Sequence, residues 1–235
     1  MTASFLAWSY SRLKTFRECP GKLWHTAVAP KGHPDRVEYF ETAPMRAGKD
    51  VDAALTARIV SGTPLPAKYA QHEGIAEVIL AQPGSKLGQV QLALDQALRP
   101  CGYKQWDTAW VRVIYDVVVI NGVYVFIGDY KNGQMWIDED QLRLFATVAF
   151  HVYPEVNVAD TSYIWLAHGH LSPKTYYRAD LPEMWQSFLP DVERMQVSFK
   201  TQHWPKTPSP RACGYCEVNR EGKCPVAAVK YKGSR

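Results

Sequence analysis

Two runs of strand-forming residues separated by a turn signal lie between residues 108 and 131, and they constrain the fold more than any other feature. The runs are "TAWVRVIYDVVVI" and "VYVFIGDYK", with Asn121-Gly122 between them. β-Branched and aromatic residues favour strands, and Asn-Gly is strongly preferred in two-residue hairpin turns. The segment therefore predicts a β-hairpin, most of which is buried.

Helical patterns surround this hairpin. We expect a first helix near Ser9, a second that ends at Gly62, a third over "QHEGIAEVILAQPG" and an amphipathic one over "DEDQLRLFATVAFHVYP". A late helix is interrupted at Pro190, "TSYIWLAHG" predicts a strand, and "QVQLALDQAL" fits a strand or a helix. This order predicts an α/β or α+β protein with a small central sheet.

The length and composition are those of an ordinary globular protein. The 235 residues suit one domain, residues 1–235, and the net charge of +4 permits a polyanionic partner without requiring one. The sequence has no long apolar run and no signal-peptide pattern, so we expect a cytoplasmic protein with no membrane partner.

The second strand ends in Asp129 and Lys131, which point to the same side because residues i and i+2 of a strand share a face. A turn at Asn121-Gly122 makes Asp116 and Asp129 diagonal neighbours, about 7 Å apart, which is close enough to share a cation. Mg²⁺ or Mn²⁺ bound there would favour phosphodiester hydrolysis, with Lys131 stabilising charge. Spacing alone equally fits a solvated sheet edge with a surface ion pair.

Four of the five cysteines have the spacing of metal ligands. Cys213 and Cys216 form a C-x-x-C pair, Cys224 follows eight residues later, and Cys19 lies near the other end of the chain. Four sulfurs suit Zn²⁺ or an iron–sulfur cluster, and free thiols are the alternative. A bound metal would join both ends of the chain and have a structural role. Cys101 is left over, as a small residue that is wholly or partly buried.

Four motifs together resemble a known family. "YDVVV…GDYKNG" resembles the D…D-x-K core of the PD-(D/E)xK nucleases. "SYSRLKTFRECP", "DQLRLF" and "CGYCEVNREGKCP" resemble, in the same order, the other motifs of the RecB/Cas4-like exonuclease branch. The likeness spans nearly the whole chain, and four motifs in sequence are far more specific than D-x-K alone.

The resemblance implies a fold and a set of roles. The fold would be a restriction-endonuclease-like core, a small mixed sheet flanked by helices, with the termini joined by a metal cluster. Asp116 and Asp129 would bind Mg²⁺ or Mn²⁺, Lys131 would support the water or the phosphate, and Gln141 would help to position it. Cys19, Cys213, Cys216 and Cys224 would hold a [4Fe–4S] cluster in a region formed by residues 1–30 and 204–235.

Two positions depart from the family pattern. Asp52 stands where the family usually has a metal-binding histidine, and aspartate can also ligate Mg²⁺ or Mn²⁺. Phe145 replaces a usual tyrosine and so lacks its hydroxyl group.

The function implied is that of a metal-dependent DNA exonuclease. It would act on single strands or duplex ends in recombination, repair or replication, in a bacterium or a phage, beside a helicase or recombination protein. Two alternatives stay open: a catalytically silent iron–sulfur DNA-binding module, which Asp52 favours, and a structure-specific endonuclease.

Other polar and aromatic residues are weaker candidates. His168 and His170 fit surface or core histidines better than a metal pair, and one of Trp106, Trp110 and Trp136 could stack on an unpaired base. Basic residues close to the cysteines in sequence suit a DNA backbone or an ordinary solvated surface. They are Arg17, Lys22, Arg211, Arg220, Lys223, Lys230, Lys232 and Arg235.

Overall fold

The computed structural model describes residues 4–38 and 40–233. Two compact units divide the chain. The terminal unit consists of Met1–Phe40 and Phe188–Arg235, and the sheet unit consists of Glu41–Ser187. No helix in the described ranges combines the length and the apolar character needed to cross a membrane.

The elements are numbered along the chain. The helices are α1 Tyr10–Glu18, α2 Pro20–Leu23, α3 Ala43–Ser61, α4 Glu73–Leu80, α5 Glu139–Val152, α6 Leu181–Gln186, α7 Leu189–Thr201, α8 Pro210–Gly214 and α9 Glu217–Arg220. The strands are β1 Ser85–Leu94, β2 Pro100–Cys101, β3 Val111–Asn121, β4 Tyr124–Lys131, β5 Val158–Trp165 and β6 His170–Tyr177. Short 3₁₀ segments cover Ala67–His72 and Arg178–Asp180, and a π-helical segment covers Trp24–Val28.

The helix and strand predictions hold for these elements. The second predicted helix is α3, which ends where Gly62 adopts a left-handed conformation with φ of +70°. The late helix is interrupted as predicted, because Pro190 lies in the first turn of α7, where its missing N–H costs no hydrogen bond. The ambiguous segment "QVQLALDQAL" begins as a strand within β1.

A six-stranded mixed sheet forms the centre of the sheet unit. The strand order is β2-β1-β3-β4-β5-β6, in which β4 and β5 are parallel and the other neighbours are antiparallel. The predicted α/β fold with a mixed sheet flanked by helices is confirmed.

The hairpin turn lies one residue later than predicted. Asn121 pairs with Tyr124, so the two-residue loop is Gly122-Val123. Gly122 has φ of +57°, which a type II′ turn requires of its first central residue, whereas the predicted turn at Asn121-Gly122 would place glycine second. As a result, each residue of β3 pairs with a β4 residue two positions further along than predicted, so that Ile120 pairs with Val125. Because side chains alternate with a period of two, the shift leaves the predicted carboxylates near one another.

Helices pack against the sheet through apolar side chains. A buried cluster joins α3 and α4 to the sheet, and it includes Leu55, Ile79, Val117 and Ile164. Each such side chain stabilises the fold by about 1.5–3 kcal/mol relative to exposure. Helix α5 is held by the Tyr115 hydroxyl, which donates to a backbone carbonyl of that helix at 2.7 Å. The strands that carry Asp116 and Asp129 are therefore backed by a packed core.

Contacts between the two ends of the chain hold the terminal unit together. The Gln196 side chain forms two hydrogen bonds with the backbone of Leu6, each of 2.8 Å. The Arg17 guanidinium pairs with Asp191 at 2.5 Å. These contacts bring α1 beside α7, so the N-terminal and C-terminal segments belong to one folded unit.

Candidate active site

Asp116 lies where the hydrogen-bond ladders of β3 are interrupted. The pairing of β3 with β1 skips Asp116, and its pairing with β4 ends at Val117. The carboxylate takes over part of the missing ladder, because its Oδ2 accepts the backbone N–H of Tyr130 at 2.8 Å. Its Oδ1 accepts the side-chain amide of Gln89 at 3.2 Å. Two donors from neighbouring strands thus orient this carboxylate.

Gln89 occupies a strained position opposite Asp116. It lies in the middle of β1 with φ of +51°, a region that residues other than glycine rarely adopt. The neighbouring pairs, Gly88 with Val117 and Val90 with Tyr115, flank a position at which neither Gln89 nor Asp116 forms a ladder pair. Such strain costs about 1–3 kcal/mol and is found most often at functional sites. The sequence contains no signal for this residue, since "GQVQLAL" reads as an ordinary strand.

Asp129 is the most buried carboxylate of the site and contacts two functional side chains. Its side chain lies at the end of β4, beside Tyr163 in the parallel register with β5. The Gln141 amide donates to Asp129 Oδ1 at 3.1 Å, and Lys131 Nζ lies 2.5 Å from Oδ2 as an ion pair. The structure therefore brings together Asp129, Lys131 and Gln141, as the sequence predicted.

Tyr163 also contacts the side chains of the candidate site, and the sequence analysis did not predict this. Its hydroxyl lies 2.9 Å from Gln141 Oε1, which leaves the Gln141 amide group facing Asp129. The Lys131 ammonium lies 5.2 Å from the centre of the Tyr163 ring. The tyrosine usual at position 145 is absent, and Phe145 is buried. Tyr163 supplies a hydroxyl beside Gln141, and only the parallel order of β4 and β5 could have indicated it.

The carboxylates of this region oppose one another's ionisation. Burial raises the pKa of Asp116 from 3.8 to about 7, and the negative charge of Asp129 adds to this effect. Burial raises the pKa of Asp52, on α3, to about 6, and the charge of Asp129 again contributes. Burial also raises the pKa of Asp129 itself, against the favourable charge of Lys131. A divalent cation would relieve all three carboxylates.

The donor set fits a hard divalent cation. Asp52 Oδ1 is buried without a hydrogen-bond partner among the described residues, and buried polar atoms of this kind are uncommon. Oxygen ligands suit Mg²⁺ or Mn²⁺, which also retain water ligands. Within residues 4–38 and 40–233, no three histidine, cysteine, aspartate or glutamate side chains are already gathered around one point. The site as it stands is therefore two carboxylates, with Asp52 close enough to affect their charge.

The four predicted cluster cysteines meet in the terminal unit. Cys19, Cys213, Cys216 and Cys224 line one cavity of about 20 Å³, and all four are free thiols. Burial raises the pKa of Cys216, while backbone N–H groups at the start of α9 and the Lys22 ammonium favour its thiolate. The net effect of these opposing influences is a raised pKa for Cys216.

The tryptophans and histidines that were weaker candidates differ in their exposure to solvent. Trp110 is buried against Trp185, whereas Trp106 and Trp136 are 66% and 68% exposed. His168 and His170 are both exposed at the β5–β6 turn.

Several of the basic residues already have partners within the terminal unit. Arg17, Lys22 and Arg220 form ion pairs with neighbouring carboxylates, and the Lys223 ammonium donates to the backbone carbonyl of Arg36 at 2.5 Å. Arg211, Lys230 and Lys232 lie in the same unit, and Arg235 lies outside the described residues.

The mixed sheet with helices packed on it is an α/β fold that is consistent with a restriction-endonuclease-like core. The sequence model of the PD-(D/E)XK nuclease superfamily matches residues 7–220, which is most of the chain. The chain therefore belongs to the PD-(D/E)XK nuclease superfamily. The matched range includes Asp116, Asp129 and Lys131.

The structural comparison found similar chains at low sequence identity, of which the first supports the fold. One is described as a "Putative exonuclease" from Eubacterium rectale, with a TM-score of 0.52, 14% identity, and coverage of 94% of this chain and 91% of that chain. A second, SSO0001, has a TM-score of 0.40 and 12% identity, with coverage of 95% and 88%. No curated protein sequence matches the chain.

Proposed function

We propose that the protein is a Mg²⁺- or Mn²⁺-dependent deoxyribonuclease that removes nucleotides from DNA ends. The observation that carries this proposal is the arrangement around Asp129, where Lys131 and Gln141 both contact a buried carboxylate next to Asp116. Two carboxylates whose pKa values are raised by burial and mutual repulsion, with a lysine beside them, suit phosphodiester hydrolysis. Membership of a nuclease superfamily supports the same chemistry.

The ion would be held by Asp116 and Asp129, with Asp52 as a third ligand. When bound, it supplies positive charge to the phosphate and acidity to water. The Lys131 ammonium would then lose its present ion pair with Asp129 and become available to the phosphate. Gln141, held by Tyr163, would orient a polar group beside Asp129. Gln89 and the Tyr130 N–H would keep the Asp116 carboxylate in place.

The terminal unit would carry a [4Fe–4S] cluster, as in the RecB/Cas4-like branch that the motifs resemble. The four thiols line one cavity. Four sulfur ligands suit Zn²⁺ or an iron–sulfur cluster, and the resemblance to the RecB/Cas4-like branch favours the cluster. Its role would be to tie the chain ends together.

Iron and sulfide analysis of anaerobically purified protein tests this assignment. We expect about four irons and four sulfides per chain and a brown colour with broad visible absorption. One zinc per chain would replace the iron–sulfur proposal with a zinc site.

Exonuclease action is favoured over endonuclease action by the resemblance and by the structural likeness to the Eubacterium rectale protein. Circular single-stranded DNA separates the two activities, because an exonuclease leaves it intact while an endonuclease linearises it.

The proposed setting is recombination, repair or replication in a bacterial cytoplasm, or in the host cytoplasm of a phage, with a helicase or recombination protein as a partner.

A catalytically silent DNA-binding module is the second candidate. The observation that favours it is Asp52, which replaces a usual histidine and is repelled by the charge of Asp129. Cleavage of end-labelled DNA in Mg²⁺ or Mn²⁺ distinguishes the two candidates.

We expect Asp129→Asn and Lys131→Met to lower the cleavage rate at least about 100-fold. Two variants serve as matched controls, Asp50→Asn on the exposed side of α3 and Lys104→Met in an exposed turn. Both should cleave like the wild type. Equal rates in the wild type and in the Asp129 and Lys131 variants would refute catalysis at this site.

A further inference from the structure

Three consecutive apolar side chains are exposed directly beside the candidate active site. Met135, Trp136 and Ile137 are 50%, 68% and 52% exposed. They belong to residues 132–138, which connect β4 to α5 and form no regular secondary structure. A run of exposed apolar residues is unfavourable in water and is retained where it has a function.

Both ends of this connection are fixed to the site. It begins immediately after Lys131, and at its other end the Tyr163 hydroxyl lies 3.0 Å from the carbonyl oxygen of Asp138. Trp136 is five residues from Lys131, so its backbone lies within about 18 Å of the lysine even if the chain is fully extended. A DNA strand whose phosphate lies at Lys131 would thus reach the apolar side chains within a few nucleotides.

Trp136 differs from the other tryptophans near the hairpin. Trp110 is buried, and the Trp106 ring is covered by the Arg112 guanidinium at 3.9 Å. In the part of the chain that the structure describes, the Trp136 ring has no aromatic or cation–π partner. Its flat faces are therefore available to a ligand.

We propose that Met135, Trp136 and Ile137 bind the bases of unpaired DNA next to the scissile phosphate, with Trp136 stacking on a base. This inference rests on the proposed nuclease function and narrows its substrate to single strands or frayed ends. Bases in a duplex are paired and stacked on one another, so their faces are covered, whereas an unpaired base exposes an apolar face that matches an indole ring. The Lys131 charge and the apolar side chains together complement a single strand, which carries charged phosphates and exposed base faces.

Binding without cleavage tests the proposal directly. The probe is fluorescein-labelled oligo(dT) of about 12 nucleotides in EDTA, and a blunt duplex of equal length serves for comparison. Stacking on one aromatic residue corresponds to roughly a 5- to 100-fold change in Kd, so we expect Trp136→Ala to weaken oligo(dT) binding by that factor. Trp136→Phe should keep most of the affinity, and duplex binding should be unchanged.

Tyr177→Ala is the matched control. Tyr177 is 54% exposed and pairs with Val158, at the end of the sheet where β4 begins. Seven residues of β4 separate that end from Lys131, a distance of about 23 Å. Its substitution should leave oligo(dT) binding unchanged.

Three outcomes would overturn the proposal. In the first, Trp136→Ala binds oligo(dT) as tightly as the wild type does. In the second, Trp136→Ala loses the same factor of affinity for oligo(dT) and for the duplex. In the third, sedimentation shows that the wild type is a dimer and that Trp136→Ala is a monomer, which would assign the patch to self-association. Failure of the nuclease function has a different signature. In that case the wild type cleaves neither oligo(dT) nor the duplex in Mn²⁺. The binding measurements are made without metal, so they still test whether Trp136 contacts unpaired DNA.

Discussion

Asp116→Asn should make the metal-free protein more stable while it abolishes cleavage. Asparagine has nearly the same shape as aspartate, and its oxygen can still accept the Tyr130 N–H that now binds Asp116 Oδ2 at 2.8 Å. What the substitution removes is a buried negative charge next to Asp129. In the proposed function this charge has a use, because it would bind the cation.

The size of the gain follows from the pKa of Asp116, which burial and the charge of Asp129 raise from 3.8 to about 7. Because the folded state holds this proton more tightly, the group's contribution to stability is present below pH 4 and is lost as the pH rises from about 4 to 7. A tenfold change in proton affinity corresponds to about 1.4 kcal/mol, so the ionised carboxylate costs the folded state about 4 kcal/mol at pH 8 and less than about 2 kcal/mol at pH 5.

Thermal unfolding in EDTA at the two pH values measures this difference. We expect Asp116→Asn to raise Tm on the order of 5–15 °C at pH 8 and by much less at pH 5. Saturating Mn²⁺ should raise the Tm of the wild type but not that of the variant, since only a site that binds the ion gains stability from it. A variant less stable than the wild type at pH 8, or a gain independent of pH, would refute the reasoning. The exposed Asp50→Asn should change stability by less than about 0.5 kcal/mol.

Three further variants test other parts of the structure. Gly128→Ala would place a methyl group 2.4 and 2.7 Å from side-chain atoms on the neighbouring strands, so urea unfolding should show a loss of about 1–3 kcal/mol, whereas Gly133→Ala, with nothing within 4 Å, should be nearly neutral. Gln89→Gly removes the strain of a positive φ together with the amide, so the fold should stay intact while cleavage falls about tenfold. Cys224→Ser should reduce the iron and sulfide content and lower Tm, and Cys101→Ser should alter neither.

The proximity of Asp116, Asp129 and Lys131 could be predicted from two signals in the sequence. Strand periodicity placed Asp129 and Lys131 together, and the Asn-Gly signal located the hairpin. The turn itself was misplaced by one residue, since Gly122 can supply a positive φ at either central position. The predicted proximity of Asp116 and Asp129 does not depend on this difference, because a shift of two in pairing keeps side chains on the same face.

Gln89 and Tyr163 could not be predicted, for different reasons. The conformation of Gln89 is imposed by tertiary contacts at the interrupted ladder, and nothing in its neighbours favours a positive φ. Tyr163 lies next to Asp129 only because β5 adds to the sheet in parallel after the whole of α5, and this pairing depends on how distant segments meet. The exposure of Trp136 likewise depends on where the β4–α5 connection lies.

The location of the candidate site can also be inferred from a group of residues whose features destabilise the folded protein. Asp116 and Asp129 carry pKa values raised by burial, Gln89 is strained, and Asp52 has a buried oxygen with no described partner. Each of these features is unfavourable without a ligand, and all four lie beside a core in which residues such as Leu55 and Val117 are almost fully buried. Their concentration around Asp116 and Asp129 supports the proposed cation site, because binding of the ion would offset the repulsion among all three carboxylates at once.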